Sequence, residues 1–304
     1  MKNKPAKVNF FKLNPGKAGG VEEFKSTLNT IFECFKKHDF KSIPTLEMDG
    51  DKYYIQAMQQ RFLEDKYEEE MLYYWLITIS RVDFDQEIIV ADVTKSIDER
   101  RREIEHSKDE GIVVDTRIAF DPFRNILAVY AQRGTINNYY LRRFICNLVG
   151  KRGIQFQIIL NEDGYKRIDK LDIVNQIAYK VASPNNFLAY ANESRDELAD
   201  LKFAREVKGT ELAIVLKSEQ LEEKKIKSKI KSLLSSSSGM DVKSLKVEGI
   251  ADGVEDTIDL IKNRLIYEGS IIFADEIDDR AAYGLLNKAY DKYYNYIKKT
   301  FQII

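Results

Sequence analysis

The nearest approach to a catalytic motif is the acidic segment VDFDQEIIVADVTK at residues 82–95. Its carboxylates belong to Asp83, Asp85, Glu87 and Asp92. Two or three carboxylates that converge on Mg²⁺ can support nuclease chemistry, often with a lysine on the adjoining strand. Asp92 and Lys95, however, are three residues apart and would face opposite sides of one strand. A metal-dependent nuclease is therefore the second alternative function, beside the simpler interpretation of charges at a strand edge.

Histidine and cysteine offer no further catalytic motif. The chain has two histidines, His38 and His106, and no Cys or carboxylate is placed to form a motif around either. Cys34 and Cys146 fall on the predicted apolar faces of helices, and their spacing suits neither a disulfide framework nor a zinc site. We expect buried, reduced thiols, no catalytic residue, no metal and no cofactor.

Basic side chains cluster in three segments, although the formal net charge of the chain is only −1. The first is residues 2–41, where lysines exceed acids. The second is a lysine-rich amphipathic helix predicted over 221–234 and the segment after it, with the candidate contacts Lys224, Lys225, Lys227, Lys229, Lys231, Lys243 and Lys246. The third brackets the end of another predicted helix and comprises Arg142, Arg143, Lys151 and Arg152.

These clusters favour contacts with nucleic-acid phosphates. Nonspecific duplex binding needs lysines and arginines that neutralise backbone phosphates, and it needs no base-reading side chain. The competing interpretation is a solvated helix face whose lysine stems cover apolar surface. Both interpretations stay open at this point.

The stretch at residues 111–149 organises the N-terminal half. Residues 112–120 and 125–132 are β-rich runs joined by a turn that contains Pro122, which predicts a hairpin. Thr135 then caps a predicted helix whose apolar residues recur at helical spacing up to Val149. A strand pair and a following helix bury one another's apolar faces, so this unit is the expected nucleus of its domain.

The other predicted elements surround that unit. Before it we expect a strand at 7–13, a helix at 21–38 and strands at 43–48, 52–62 and 70–82. After it we expect a helix around 165–176, a strand at 210–217, a hairpin across 257–268 and 269–274, and a long tyrosine-rich helix at 278–301. Strands that cluster in runs predict an α+β fold, here two domains built on antiparallel sheets with packed helices. We place them at 1–160 and 161–304.

No signal peptide and no apolar run long enough to span a bilayer is visible in the sequence. We therefore expect a cytoplasmic protein.

The C-terminal half resembles a known family in the order of its segments. These are ELADLKFAREVKGTELAIVLKS, the helix EEKKIKSKIKSLL, the strand region KSLKVEGIADGVEDTIDLIKNRLIYEGSI and a long tyrosine-containing terminal helix. This order resembles the phage lambda RexA-type exclusion proteins, and more distantly the KwaB-like antiphage proteins. With the unit at 111–149 the resemblance covers about two thirds of the chain by order of elements, and it carries no catalytic signature.

The resemblance implies a non-enzymatic homodimer that binds double-stranded DNA without sequence preference and acts in phage exclusion. It also implies a domain rearrangement as the switch and a separate membrane effector or phage protein as partner. By position, the lysines of the 221–234 helix with Lys243 and Lys246 are the first expected contacts, and the cluster at Arg142 is the second.

A protein-interaction module is the first alternative function. In that hypothesis the terminal helix and the surface around Trp75 make the contacts, since aromatic residues dominate binding energies at interfaces. For Tyr290, Tyr293, Tyr294 and Tyr296 we favour an interface over base stacking.

Overall fold

The computed structural model describes residues 1–15, 19–84, 89–104, 107, 110–132, 134–182, 203, 206–234 and 242–303. Several expectations lie outside these residues, among them those for Asp85, Glu87 and His106.

Strands outnumber helices among the residues that the structure describes. In chain order the strands are β1 (Lys2–Asn14), β2 (Thr45–Met48), β3 (Asp51–Tyr67), β4 (Glu70–Asp83), β5 (Ile89–Ala91), β6 (Arg101–Glu103), β7 (Ile112–Asp121), β8 (Ile126–Ala131), β9 (Gln155–Ile158), β10 (Ile173–Ala182), β11 (Glu211–Lys217), β12 (Val242–Ala251), β13 (Val254–Asp259) and β14 (Ile266–Phe273). The helices are α1 (Val21–Lys36), α2 (Asn138–Leu148), α3 (Glu162–Asp169), α4 (Glu223–Leu234) and α5 (Asp279–Thr300), with a short 3₁₀ turn at Phe40–Ser42.

The larger sheet has the strand order β14-β1-β8-β7-β4-β3-β2, and β9 adds to the end of β1. A second sheet has the order β11-β10-β12-β13, and β5 with β6 forms a small third one. The strand pairs of these three sheets are antiparallel. The predicted α+β class with antiparallel sheets and a C-terminal helix is confirmed.

Helices cover both faces of the larger sheet, because its central strands are apolar on both sides. On β4, Trp75, Ile77 and Ile79 pack into a core with α1 and α2. Their neighbours Tyr74 and Leu76 point the other way, into a second core beneath α5. The result is a sheet between two helical layers.

The predicted hairpin at 111–149 is confirmed as β7 and β8, followed by α2. The predicted cap is wrong: Asn137, not Thr135, accepts a hydrogen bond from the backbone of Tyr140 at 3.0 Å. The Thr135 hydroxyl instead donates to the carbonyl of Gln132 at 2.7 Å. Both residues can cap a helix, and only the backbone geometry decides between them.

Two other expectations need correction. The helix predicted over 165–176 is the shorter α3, and β10 begins soon after it, at Ile173. The hairpin predicted across 257–274 is wrong, because β14 is one continuous strand that pairs with β1, from Lys2 opposite Phe273 to Asn9 opposite Ile266.

The division into 1–160 and 161–304 stays a prediction about folding units, but the sheets are assembled across it. β14 and α5 lie beyond residue 161 and complete the larger sheet and its second core. The smaller sheet is built from residues 173–259.

Among the described residues, none of the helices combines the length and apolar content that crossing a bilayer requires.

Candidate nucleic-acid interface

Helix α4 carries the lysines that were predicted as the first phosphate contacts. Its apolar side, made of Ile226, Ile230, Leu233 and Leu234, is buried against β10, β12 and β13. The lysines must therefore lie on its flanks and on its solvent side, as the periodicity predicts.

Acidic neighbours already bind two of these lysines. Lys225 forms an ion pair with Glu222 at 2.8 Å. Lys227 pairs with Glu223 at 2.7 Å and with Asp169 of α3 at 3.4 Å. The hydrogen bonds to Glu222 and Glu223 raise the pKa of Lys225 and of Lys227, respectively, so both are charged but neutralised locally. A phosphate would have to compete with these carboxylates.

The remaining α4 lysines fall into two kinds. The ammonium of Lys229 lies 5.4 Å from the ring centre of Tyr179 on β10, which directs it toward the sheet. Lys224 and Lys231 are exposed and have no acidic partner in the part of the chain that the structure describes. They are seven residues apart and so lie on one side of the helix, about 10 Å from each other along its axis.

Lys246 on β12 lies on a different surface from the α4 lysines. Leu245 and Val247 are buried beneath α4, so Lys246 between them points to the opposite face of the smaller sheet. Lys246 is exposed there. Lys243 is also exposed, at an irregularity where the pairing register between β10 and β12 shifts. The α4 lysines and Lys246 therefore do not share one surface.

The predicted cluster of Arg142, Arg143, Lys151 and Arg152 serves mainly to join elements. Arg143 of α2 contacts Asp49, in the turn between β2 and β3, at 2.5 Å, and the hydrogen bond from Arg143 lowers the pKa of Asp49. Lys151 lies 3.6 Å from Glu23, which caps α1 by accepting from the backbone of Gly20. These two cations hold α2 and the chain after it against their neighbours.

The other two members of this cluster differ in their exposure. Arg142 is half-buried and engaged in a contact within the protein. Arg152 is exposed, with no acidic partner among the described residues.

The N-terminal lysines are dispersed over β1 and α1. Lys7 pairs with Glu268 at 2.6 Å and Lys25 with Glu22 at 2.7 Å. The ammonium of Lys12 donates to the carbonyl of Arg124 at 2.8 Å, and burial lowers its pKa. This segment does not form one basic surface.

Helix α5 carries a basic row that sequence reasoning missed. Its members Arg280, Lys288 and Lys292 are exposed, and none has an acidic partner within the described ranges. Their spacing of eight and four residues keeps them on one flank over about 18 Å of helix. This spacing is visible in the sequence, but cations on a helix are also typical of an ordinary solvated face.

A groove of about 450 Å³ runs beside this row, between α5 and the outermost strand β14. Arg280 and Lys288 line one wall, Ser270 and Ile272 line the other, and the carboxylate of Asp278 also lines the groove. Gly284 lies between the two cations, and a Cβ at this position would meet no atom within 4 Å. The glycine therefore has no packing role there, and its missing side chain widens the groove.

The aromatic side chains of the interaction hypothesis are packed inside the protein. Trp75 is 0% exposed and stacks on Phe120 at 6.3 Å. Tyr290 is buried, and its hydroxyl donates to Asp121. The hydroxyls of Tyr293, Tyr294 and Tyr296 donate to the carbonyl of Ile266, the carboxylate of Asp65 and the carbonyl of Leu160. Trp75 and Tyr290 are therefore core and present no interaction surface, whereas Tyr293, Tyr294 and Tyr296 are half-buried and packed against the second core.

The acidic segment gives no metal centre in the described residues, where no three His, Cys, Asp or Glu side chains converge. Asp83 lies 3.7 Å from Arg81. Asp92 accepts from the hydroxyl and the backbone of Thr94, which lowers its pKa and closes a turn.

The two thiols are free and half-buried, not fully buried as expected, and His38 is exposed. Among the described residues, exposed cations without an acidic partner thus include Lys224 and Lys231 on α4, Lys246 on β12, Arg152 after α2, and the row on α5. No protein-family model matches the chain, and no curated protein matches its sequence.

Proposed function

We propose that this protein binds the phosphate backbone of double-stranded DNA without sequence preference, and that the basic row on α5 is its principal contact. The row supports the proposal because Arg280, Lys288 and Lys292 need not break an ion pair with another described residue to reach a phosphate. The ammonium of Lys292 lies 5.3 Å from the ring centres of Tyr267 and Tyr293, so this residue must leave those rings to do so. The solvated face of α4, with Lys224 and Lys231, is the second contact surface.

The geometry of α5 suits one DNA strand. Phosphates follow one another at about 3.4 Å of helix axis per strand, so a row of about 18 Å spans several of them. The groove beside β14 gives the strand a recess between Ser270 and Lys288. Since phosphates carry no sequence information, such contacts position a duplex without reading its bases.

The wider role is proposed from the family resemblance. It supports a non-enzymatic, cytoplasmic homodimer in phage exclusion, with a domain rearrangement as the switch and a separate membrane effector or phage protein as partner. DNA binding by the α5 row is compatible with that role and can be tested without it.

The test is a fluorescence-anisotropy titration of the purified protein against a labelled random duplex at about 50 and 200 mM salt. The three phosphate contacts of the α5 row contribute about −2.7 to the slope of log K against log salt, which corresponds to roughly a fortyfold loss of affinity between these salts. The variant R280Q/K288Q/K292Q should weaken binding at the lower salt and reduce the magnitude of the slope by about 2.7, leaving the contribution of α4, equally on unrelated sequences.

The matched control is K36Q/K166Q/K225Q, which removes the same net charge from three lysines that are ion-paired on helix surfaces. It should keep most of the affinity and the slope. Equal losses in both variants would show that only the overall charge matters and would refute the α5 contact. If neither the variants nor the unmodified protein bind DNA at low salt, DNA binding itself is refuted.

A further inference from the structure

The smaller sheet has one face that α4 does not cover, and one polar row crosses it. Ile177 and Val247 point toward α4, so their neighbours Gln176 and Glu248 point to the other face. In the antiparallel register Gln176 lies opposite both Lys217 and Glu248, and Glu248 lies opposite Thr257. These four side chains are neighbours across four strands.

A cavity of about 440 Å³ lies on this row. Besides the four row residues, it is lined by Asn175, Ser218, Glu219, Gly249, Glu255 and Asp256. The strand β10 is irregular here, because the register with β12 shifts between Val174 and Gln176. Asn175 is the extra residue at that shift, and the backbone of Ser218 fixes it by donating to its carbonyl at 2.9 Å.

Two buried amide oxygens of this cavity have no hydrogen-bond donor among the described residues. Gln176 is only 8% exposed, and its Oε1 is unpartnered. The Oδ1 of Asn175 is likewise buried and unpartnered. Buried acceptors in proteins are nearly always paired, and those that are not call for a ligand or another explanation. Both oxygens belong to residues that line the same cavity.

The charge of the lining points to the class of ligand. Four carboxylates, those of Glu219, Glu248, Glu255 and Asp256, stand against the single ammonium of Lys217. At the border of the cavity, the guanidinium of Arg167 donates to the carboxylate of Asp256 at 2.5 and 3.2 Å and to the carbonyl of Thr257 at 2.9 Å. Its hydrogen bonds lower the pKa of Asp256. This face of the smaller sheet therefore favours ligands whose positively charged groups carry N–H donors.

We propose that the cavity binds a small organic cation with several N–H donors, a guanidinium or a primary ammonium group. In this arrangement its N–H groups donate to the amide oxygens of Asn175 and Gln176, and its charge is neutralised by Glu248 and Glu255. A metal ion fits less well, because no three carboxylate, His or Cys side chains of the described residues converge on one point. The proposal stands independently of DNA binding.

Isothermal titration calorimetry of the whole protein tests this with four probes: L-arginine amide, spermidine, tetramethylammonium and CaCl₂. Arginine amide or spermidine should bind. Tighter binding of arginine amide would indicate a protein arginine as the source of the cation, and tighter binding of spermidine would indicate a free polyamine. Tetramethylammonium carries the charge without any N–H donor and should not bind. Absence of binding by both N–H cations up to about 10 mM, or equal binding of tetramethylammonium or Ca²⁺, would overturn the proposal.

Variants locate the site. E248Q and Q176L should each weaken binding of the N–H cation about tenfold or more, because E248Q removes a carboxylate that neutralises the cation and Q176L removes an acceptor for its N–H group. E211Q is the control, because Glu211 is a carboxylate on the same sheet face, paired with Lys180 at 2.8 Å and outside the cavity. Thermal unfolding of each variant without ligand shows that it is folded. Unchanged affinity in a folded E248Q and a folded Q176L refutes the site.

Discussion

At the scale of single residues, Asp121 is a buried carboxylate of the larger sheet whose two oxygens both accept hydrogen bonds. It lies at the turn between β7 and β8, is 0% exposed and uses both oxygens. Its Oδ1 accepts from the backbone of Phe123 at 2.8 Å and of Arg124 at 3.1 Å. Its Oδ2 accepts from the guanidinium of Arg124 at 3.3 Å and from the hydroxyl of Tyr290 at 2.5 Å. Burial raises the pKa of Tyr290 well above its ordinary value, so this hydroxyl remains a donor at neutral pH.

Replacing Asp121 by Asn should destabilise the fold severely. The change leaves the buried guanidinium of Arg124 without its counter-charge, which typically costs about 3–5 kcal/mol of unfolding free energy. Urea titration followed by circular dichroism measures this loss. D291N is the control: Asp291 pairs with Arg61 at 2.8 Å, but its side chain is half-exposed, so the loss should be about 0–1 kcal/mol. Equal losses in the two variants would contradict a special role for the buried pair.

The sequence predicted the turn around Asp121 but not its partners. Pro122 and the flanking β-rich runs are local signals, and they sufficed for the hairpin. Tyr290 lies 169 residues away, and no local pattern names it. The same holds for Trp75, whose burial follows from the helices that cover both faces of β4 and not from the residues beside it.

At the scale of elements, α4 shows why a lysine-rich helix is a weak predictor of phosphate contacts. The helix and its apolar side were predictable from periodicity. The pairs Glu222–Lys225 and Glu223–Lys227 were also visible as spacings of three and four residues. The contacts of Lys227 with Asp169 and of Lys229 with Tyr179 come from packing on α3 and β10, which the sequence did not reveal.

Two variants of α4 with equal change in charge separate its free lysines from its paired ones. K224Q/K231Q should weaken DNA binding severalfold and reduce the magnitude of the salt slope by up to about 1.8, because both ammonium groups are available to phosphates. K225Q/K227Q should have a smaller effect on affinity, since these charges are already neutralised by Glu222 and Glu223. The anisotropy titration at two salt concentrations measures both. A larger loss in K225Q/K227Q would mean that DNA displaces the carboxylates and that the ion pairs do not protect these lysines.

At the scale of the whole molecule, the larger sheet is closed by residues from the far end of the chain. β14 pairs with β1 over a separation of more than 250 residues, and α5 covers the face that β1, β4 and β8 would otherwise expose. The sequence predicts two strands, 257–268 and 269–274, that meet at Gly269. In the structure a Cβ at Gly269 would come within 2.5 Å of the ring of Tyr267, so the glycine makes room for that ring inside a continuous strand. A local pattern cannot distinguish these two uses of glycine.

This closure predicts that residues 1–160 do not fold alone. Without β14 and α5, Val8, Phe10 and Tyr130 would lose their cover, and β1 would lose its partner along Lys2–Asn9. Apolar burial is the main favourable term in folding, so the fragment should show no cooperative urea transition by circular dichroism. A cooperative transition in the isolated fragment would show instead that the boundary near residue 160 separates two folding units.

The structure also indicates how folding of that fragment can be restored. Leu160 and Arg264 form an isolated antiparallel bridge, so the chain leaves the larger sheet and returns to it at neighbouring positions. Joining residue 160 to residue 264 through a short Gly/Ser linker deletes the smaller sheet and restores β14 and α5 to the larger sheet. This fusion should unfold cooperatively in urea, and, if the α5 row is the principal contact, it should also retain salt-sensitive DNA binding. A fusion that folds but no longer binds DNA would show that the interface lies on α4 and the smaller sheet, because these are the parts that the deletion removes.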